Sequence, residues 1–143
     1  MRFSLFPLLL AATLMAACSR DTPESALKAT ASELQSALET RAPDKVLALL
    51  HDKFTTQDST ENGRDWARRT MTLSFTRYKT VSIVTQNMET RIDPRFPDHA
   101  TSKGEALLVG AENILPDSTR RYRIELEWVR EKDEWKLLRL AWQ

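Results

Sequence analysis

The rhythm of apolar positions changes several times along the chain, and each change marks a boundary. Leu5 to Ala17 form an apolar run of thirteen residues, interrupted by Pro7 and Thr13 and preceded by Arg2. A helix needs about 20 residues to span a hydrocarbon core, so this run is too short to cross a membrane. With a positive charge ahead of it, it reads as the apolar region of a secretory signal. Thr22-Pro23-Glu24 then has the marks of a helix start: a hydroxyl N-cap, proline at the first helical position and an acid in the first turn. Leu27, Thr30, Ala31, Leu34, Ala37 and Leu38 follow at helical spacing and make one apolar stripe. A second, short helix begins at Pro43-Asp44, with Val46, Leu49 and Leu50 on one face and Phe54 as a plug beneath it. Thr55 to Gly63 is polar and carries an Asn62-Gly63 turn signal. Arg64 to Phe75 reads as a third helix, with Trp66, Thr70, Leu73 and Tyr78 at helical spacing.

From Tyr78 the period falls from 3.6 to 2. Val81 and Ile83 take one face of a strand, and Tyr78, Val84, Met88 and Ile92 the other. Asp93 to Asp98 contains Pro94 and Pro97 and is a loop, since prolines cannot serve a central strand. Thr101 to Ala111 is a second strand around Leu107 and Val109, and Asn113 to Ser118 turns through Pro116. Tyr122, Ile124, Leu126 and Trp128 then alternate strictly with Arg121, Arg123, Glu125 and Glu127. Glu131 to Glu134 is a charged hairpin turn, and Trp135 to Trp142 is the last strand. Helices first and strands afterwards imply an α+β fold, with N-terminal helices packed on a curved antiparallel sheet.

The apolar leader ends in Met15-Ala16-Ala17-Cys18. Two small residues before a cysteine resemble the lipobox of bacterial lipoproteins, with Met15 where leucine is usual. The resemblance implies cleavage after Ala17 and a diacylglyceryl thioether on Cys18. Cys18 is the one cysteine of the chain, and lipidation removes the liability of an unpaired thiol in an exported protein. Two or more acyl chains on one residue anchor a protein durably. Ser19 in place of aspartate implies the outer membrane, facing the periplasm, rather than the inner one. The chain then divides into a signal peptide (1–17), a lipidated N-terminus and short tether (18–21) and a single domain (22–143).

The net charge is +1, and Arg2 is the one charged residue of the leader, so the remainder is formally neutral. Nothing here resembles the basic surface of a nucleic-acid-binding domain. The order of elements looks like the nuclear transport factor two-like superfamily, with a cystatin-like fold as its competitor. The residues that carry the resemblance are the first helix ending before Ala42-Pro43-Asp44-Lys45, then Val46 to Leu50 and Phe54. Glu134-Trp135-Lys136-Leu137 also resembles the superfamily's last strand. It implies a cone-shaped sheet whose interior can hold a ligand, and in its enzymes an Asp or His base and often a Tyr donor in that cone.

No acid falls on the inward positions of the clean strand, because Glu125 and Glu127 alternate with its apolar face. His51 and His99 are the two histidines, and neither has the spacing of a metal pair. No cofactor motif occurs. Any pocket would be lined by Trp66, Tyr78, Tyr122, Trp128 and Trp135, the competing reading being that the tryptophans fill the core. The leading expectation is therefore a membrane-anchored, non-catalytic binding or interaction module, with an envelope protein or a small apolar ligand as partner. The alternatives are a small envelope enzyme acting on an apolar substrate in the cone and an immunity lipoprotein that neutralises a periplasmic toxin.

Overall fold

The computed structural model describes residues 22–111 and 118–143. Met15, Ala16, Ala17 and Cys18, the tether to Asp21 and nearly all of the turn expected at Asn113–Ser118 lie outside the described residues. Three helices, α1 (Pro23–Glu39), α2 (Pro43–Leu49) and α3 (Gly63–Arg77), accompany five strands, β1 (Leu50–Thr56), β2 (Thr80–Ile92), β3 (His99–Ala111), β4 (Ser118–Glu131) and β5 (Glu134–Trp142). The sheet order is β1-β5-β4-β3-β2. Strands β2 to β5 are antiparallel neighbours, as expected, and the helices pack on one face of the curved sheet. Among the described residues no helix is long and apolar enough to cross a membrane.

Helix α1 begins as its sequence dictates. The Ser25 amide donates to Thr22 Oγ1 at 3.1 Å, and Leu27, Leu34 and Ala37 are buried. It ends on Arg41, whose φ of 54° is left-handed. There the Arg41 amide donates to Leu38 O and the Ala42 amide to Ala37 O, the paired bonds that close a helix on a left-handed residue. Two arginines then tie the helices together through their carbonyl ends. Arg41 Nη1 donates to Phe75 O and Tyr78 O at the end of α3, both at 3.1 Å. Arg64 Nη1 donates to Leu47 O and Leu50 O at the end of α2, both at 2.8 Å. Carbonyls at a helix's end lack part of their intrahelical bonding and favour a cation.

The structure corrects the sequence reading in three places. Leu50 to Thr56 is a strand, which pairs parallel to β5, so the sheet has five strands and is not wholly antiparallel. Its register jumps between Leu50 and Thr55, and its buried positions, Leu50, Phe54 and Thr56, keep one phase but skip the exposed Asp52. Second, α3 buries Gly63, Ala67 and Met71, leaving Trp66 half-buried, Thr70 exposed and Leu73 73% exposed. The core face of α3 is its small-residue face: a Cβ on Gly63 would stand 2.1 Å from Phe54 O. Third, β2 carries a bulge between Gln86 and Glu89, with Asn87 at φ 52°. The extra residue turns everything beyond it over. Ile83 pairs with Leu108 and Ile92 with Ala100, so Ile83 and Ile92 share the concave face despite their odd and even numbers.

The core lies between the helices and that concave face. Leu27, Leu34, Val46, Phe54, Met71, Trp128, Trp135 and Leu137 are among its buried members. On the convex face Lys103–Glu125 and Glu127–Arg139 form cross-strand ion pairs.

Candidate functional site

The concave face of the sheet is where the expected pocket residues converge, and their positions differ. Trp128, on β4, is completely enclosed at 0% exposure. Its Nε1 donates to Ser102 Oγ on β3 at 3.1 Å, and Ser102 Oγ lies 2.8 Å from Thr90 Oγ1 on β2. A three-strand chain of polar contacts therefore fixes the indole, as buried polar groups require. Trp135 is also buried, donating from Nε1 to Pro23 O at 3.0 Å with the Arg130 guanidinium 5.8 Å over its ring. These two tryptophans fill the interior at the end where α1 begins.

The remaining aromatic residues sit around α3. Trp66 stacks on Trp142 with ring centroids 5.6 Å apart and planes 26° apart, and Trp142 pairs with Ile124. Trp142 is one of the four tryptophans of the chain but was not among the residues expected to line a pocket, and the register shift between β4 and β5 puts it out of phase with Trp135 and Leu137. At the other end of α3, Tyr78 lies so close to Gly110 that a Cβ there would stand 2.8 Å from its ring. Tyr122 is half-buried opposite Ala106. Helix α3 packs along β1 and α2 and is pinned to the concave face at its ends, by Trp66 on Trp142 and by Tyr78 on Gly110. Leu73 stands two turns beyond Trp66 on the same helix face, and Leu108, 38% exposed, stands one pleat from Gly110. This wide end of the concavity is where apolar side chains meet solvent.

The polar chemistry of the interior is sparse. Among the described residues the buried polar side chains are Thr56 and Ser102. Thr56 Oγ1 accepts from the Asp58 and Ser59 amides, and Ser102 is engaged as described. His51 lies at the molecule's edge, accepting from the Lys53 amide at Nδ1 (3.0 Å) and facing Glu131 Oε1 from Nε2 (2.9 Å). With Nδ1 as the acceptor, Nε2 is the ring nitrogen that donates. His99 packs edge-on against Phe96. No cluster of three or more His, Cys, Asp or Glu suited to a metal ion occurs among the described residues. A shallow cleft of about 360 Å³ lies on the other flank of α3, lined by Thr40, Arg41, Pro43, Thr72, Phe75 and Thr76. Its hydroxyls on Thr40, Thr72 and Thr76 all donate to carbonyls of their own helices.

The sequence matches no protein-family model and no curated protein. Its architecture matches many solved structures. A nuclear transport factor two-like protein from Cytophaga hutchinsonii superposes with a TM-score of 0.68 at 13% identity, over 86% of this chain and 98% of that one. The fold is nuclear transport factor two-like. A hexachlorocyclohexane dehydrochlorinase from Novosphingobium barchaimii superposes with a TM-score of 0.66 at 15% identity, covering 84% of each chain. An uncharacterised Caulobacter vibrioides protein with a cystatin-like fold does so with a TM-score of 0.66 at 16% identity, over 85% of this chain and 88% of that one. The nuclear transport factor two-like fold thus houses an enzyme and proteins without assigned activity alike. At these identities the likeness carries architecture and no chemistry.

Proposed function

We propose that this chain is a lipid-anchored envelope protein whose domain binds an apolar ligand or partner without transforming it. The anchor is the acylated Cys18 behind the Met15-Ala16-Ala17 recognition segment, and the compartment is the periplasmic face of the outer membrane. One observation carries the reading of the domain. Its interior is occupied by Trp128 and Trp135, and the buried polar side chains among the described residues are two hydrogen-bonded hydroxyls. An enzyme of this architecture needs an acid or base held in the concavity, and the described interior offers its space to indole rings instead. Binding then falls to the wide end, where Trp66, Leu73, Leu108 and Tyr122 present apolar surface beside α3.

The test is titration with an environment-sensitive apolar fluorophore such as anilinonaphthalene sulfonate. The wild type binds it saturably, and Leu73→Glu and Leu108→Glu each weaken binding by about tenfold, which is 1.4 kcal/mol. Both side chains are partly or largely exposed, so the unfolding midpoint stays put. Absence of saturable binding by the wild type, or variants that bind unchanged, refutes the wide-end site. Palmitate-analogue labelling that survives Cys18→Ser refutes the anchor.

A further inference from the structure

One exposed aromatic residue is left unexplained by either the core or the wide end. Phe96 is 61% exposed at the tip of the β2–β3 connection. The loop that presents it is braced. Asp93 Oδ1 accepts from the Arg95 amide at 2.8 Å and the Phe96 amide at 3.3 Å, and the His99 amide donates to Phe96 O. Pro94 and Pro97 stiffen it further. Holding a phenyl ring out in water on a rigid loop suits a surface that will cover it, because little conformational freedom is lost on docking.

The position of that loop says what covers it. The Arg130 amide donates to Asp98 O at 2.7 Å, and Arg130 Nε approaches Asp98 Oδ1 at 3.2 Å. Arg130 lies over the Trp135 ring, and Trp135 Nε1 donates to Pro23 O at the first turn of α1. The Phe96 loop, the Lys132-Asp133 hairpin tip and the start of α1 therefore occupy one end of the molecule. Three residues, Ser19 to Asp21, separate Thr22 from the lipidated Cys18, a reach of roughly 10–14 Å at most.

We infer that this end is a membrane-docking surface: Phe96 inserts among phospholipid headgroups while Arg95 and Lys132 reach phosphates. The inference rests on the proposed anchor at Cys18. Aromatic rings favour the bilayer interface, and long basic side chains reach polar groups from an apolar base. Arg95 and Lys132 are exposed and form no ion pair among the described residues. Of the acids nearby, Asp98 and Glu134 face Arg130 and Lys136, Glu131 faces His51, Asp93 accepts from the amides of its own loop, and Asp133 at the hairpin tip is exposed.

The experiment uses the mature lipidated chain in vesicles of phosphatidylethanolamine and phosphatidylglycerol. With Cys18 acylated, Lys132→Cys supplies the single thiol for an environment-sensitive fluorophore, and Leu73→Cys on the far half of α3 is the reference. Spin-labelled headgroups should quench the probe at 132 several-fold more than the probe at 73. Adding Phe96→Asp should remove most of that difference while the unfolding midpoint is unchanged. A probe at 132 that is no better quenched than the one at 73, on protein that floats with the vesicles, overturns the docking surface. Equal quenching with Phe96 and Phe96→Asp also overturns it. A chain that neither floats nor carries acyl mass on Cys18 shows instead that the anchor is wrong, and the docking surface falls with it.

Discussion

Arg41 holds a left-handed backbone that glycine would hold at no steric cost, and its side chain accounts for the choice. Its guanidinium donates to Phe75 O and Tyr78 O, joining the corner after α1 to the end of α3. Arg41→Ala keeps the backbone strain and loses both bonds, and should destabilise by about 1–2 kcal/mol, discounted from the charged-bond range because the site is exposed. Arg41→Gly loses the same bonds but regains roughly 1 kcal/mol of relieved strain, so its denaturation midpoint should fall between those of Arg41→Ala and the wild type. A Gly variant less stable than the Ala variant would mean that φ at residue 41 is not left-handed. Ser102 is a different case, because it is buried. Ser102→Ala strands the Trp128 indole N–H without its acceptor and should cost about 1–3 kcal/mol. Trp128→Phe in the Ser102→Ala background removes the stranded donor, so urea unfolding should show the two changes to be less than additive.

At the scale of elements, legibility followed regularity. β4 was plain in the sequence because Tyr122 to Trp128 alternate without a break, and the Lys132-Asp133 turn followed from the charges between two alternating runs. Both residues of that turn have positive φ, 51° and 62°, the geometry that matches the twist of a two-residue hairpin. α1 was equally plain, from its cap to its stripe. The misread elements share a cause: close backbone approach or an inserted residue, neither of which leaves a hydrophobic rhythm. The β2 bulge at Asn87 broke the count of faces, and the jump in β1 disguised a strand as a helix end and a plug. In α3 the apolar residues Trp66 and Leu73 mask the buried face of Gly63, Ala67 and Met71, where the smallness of Gly63 lets the helix meet β1. Gly63→Ala should therefore destabilise by about 1–3 kcal/mol or more, since the obstacle is backbone. Gly104→Ala should cost less, because the atom a Cβ there would press hardest is the flexible Met88 Sδ, with the backbone Gln86 O and Met88 Cα farther off at 3.0 Å. Comparing their thermal unfolding tests this order. The candidate site was half legible for the same reason: the sequence marked the aromatic residues but not which of them the curvature encloses.

At the scale of the whole molecule the question is how the proposed anchor and the domain would act together. With Cys18 acylated as proposed, a tether of three residues would let the domain move over roughly 10–14 Å, and would keep the end bearing Phe96 near the headgroups whether or not Phe96 itself binds. A flexible insert of about 20 residues after Asp21 has a root-mean-square span near 25 Å, and dilutes that end relative to the bilayer. Effective concentration falls at roughly the −3/2 power of linker length, so a weak contact should be nearly lost and a strong one only reduced. Photo-crosslinking from residue 95 to lipid headgroups should therefore drop clearly on insertion, and drop further when Phe96→Asp is added. If insertion alone changes nothing, the short tether has no positional role. If Phe96→Asp adds nothing to the insertion, the tether alone sets the orientation and the ring is a bystander. The two perturbations thus separate proximity imposed by the lipid from affinity supplied by the domain.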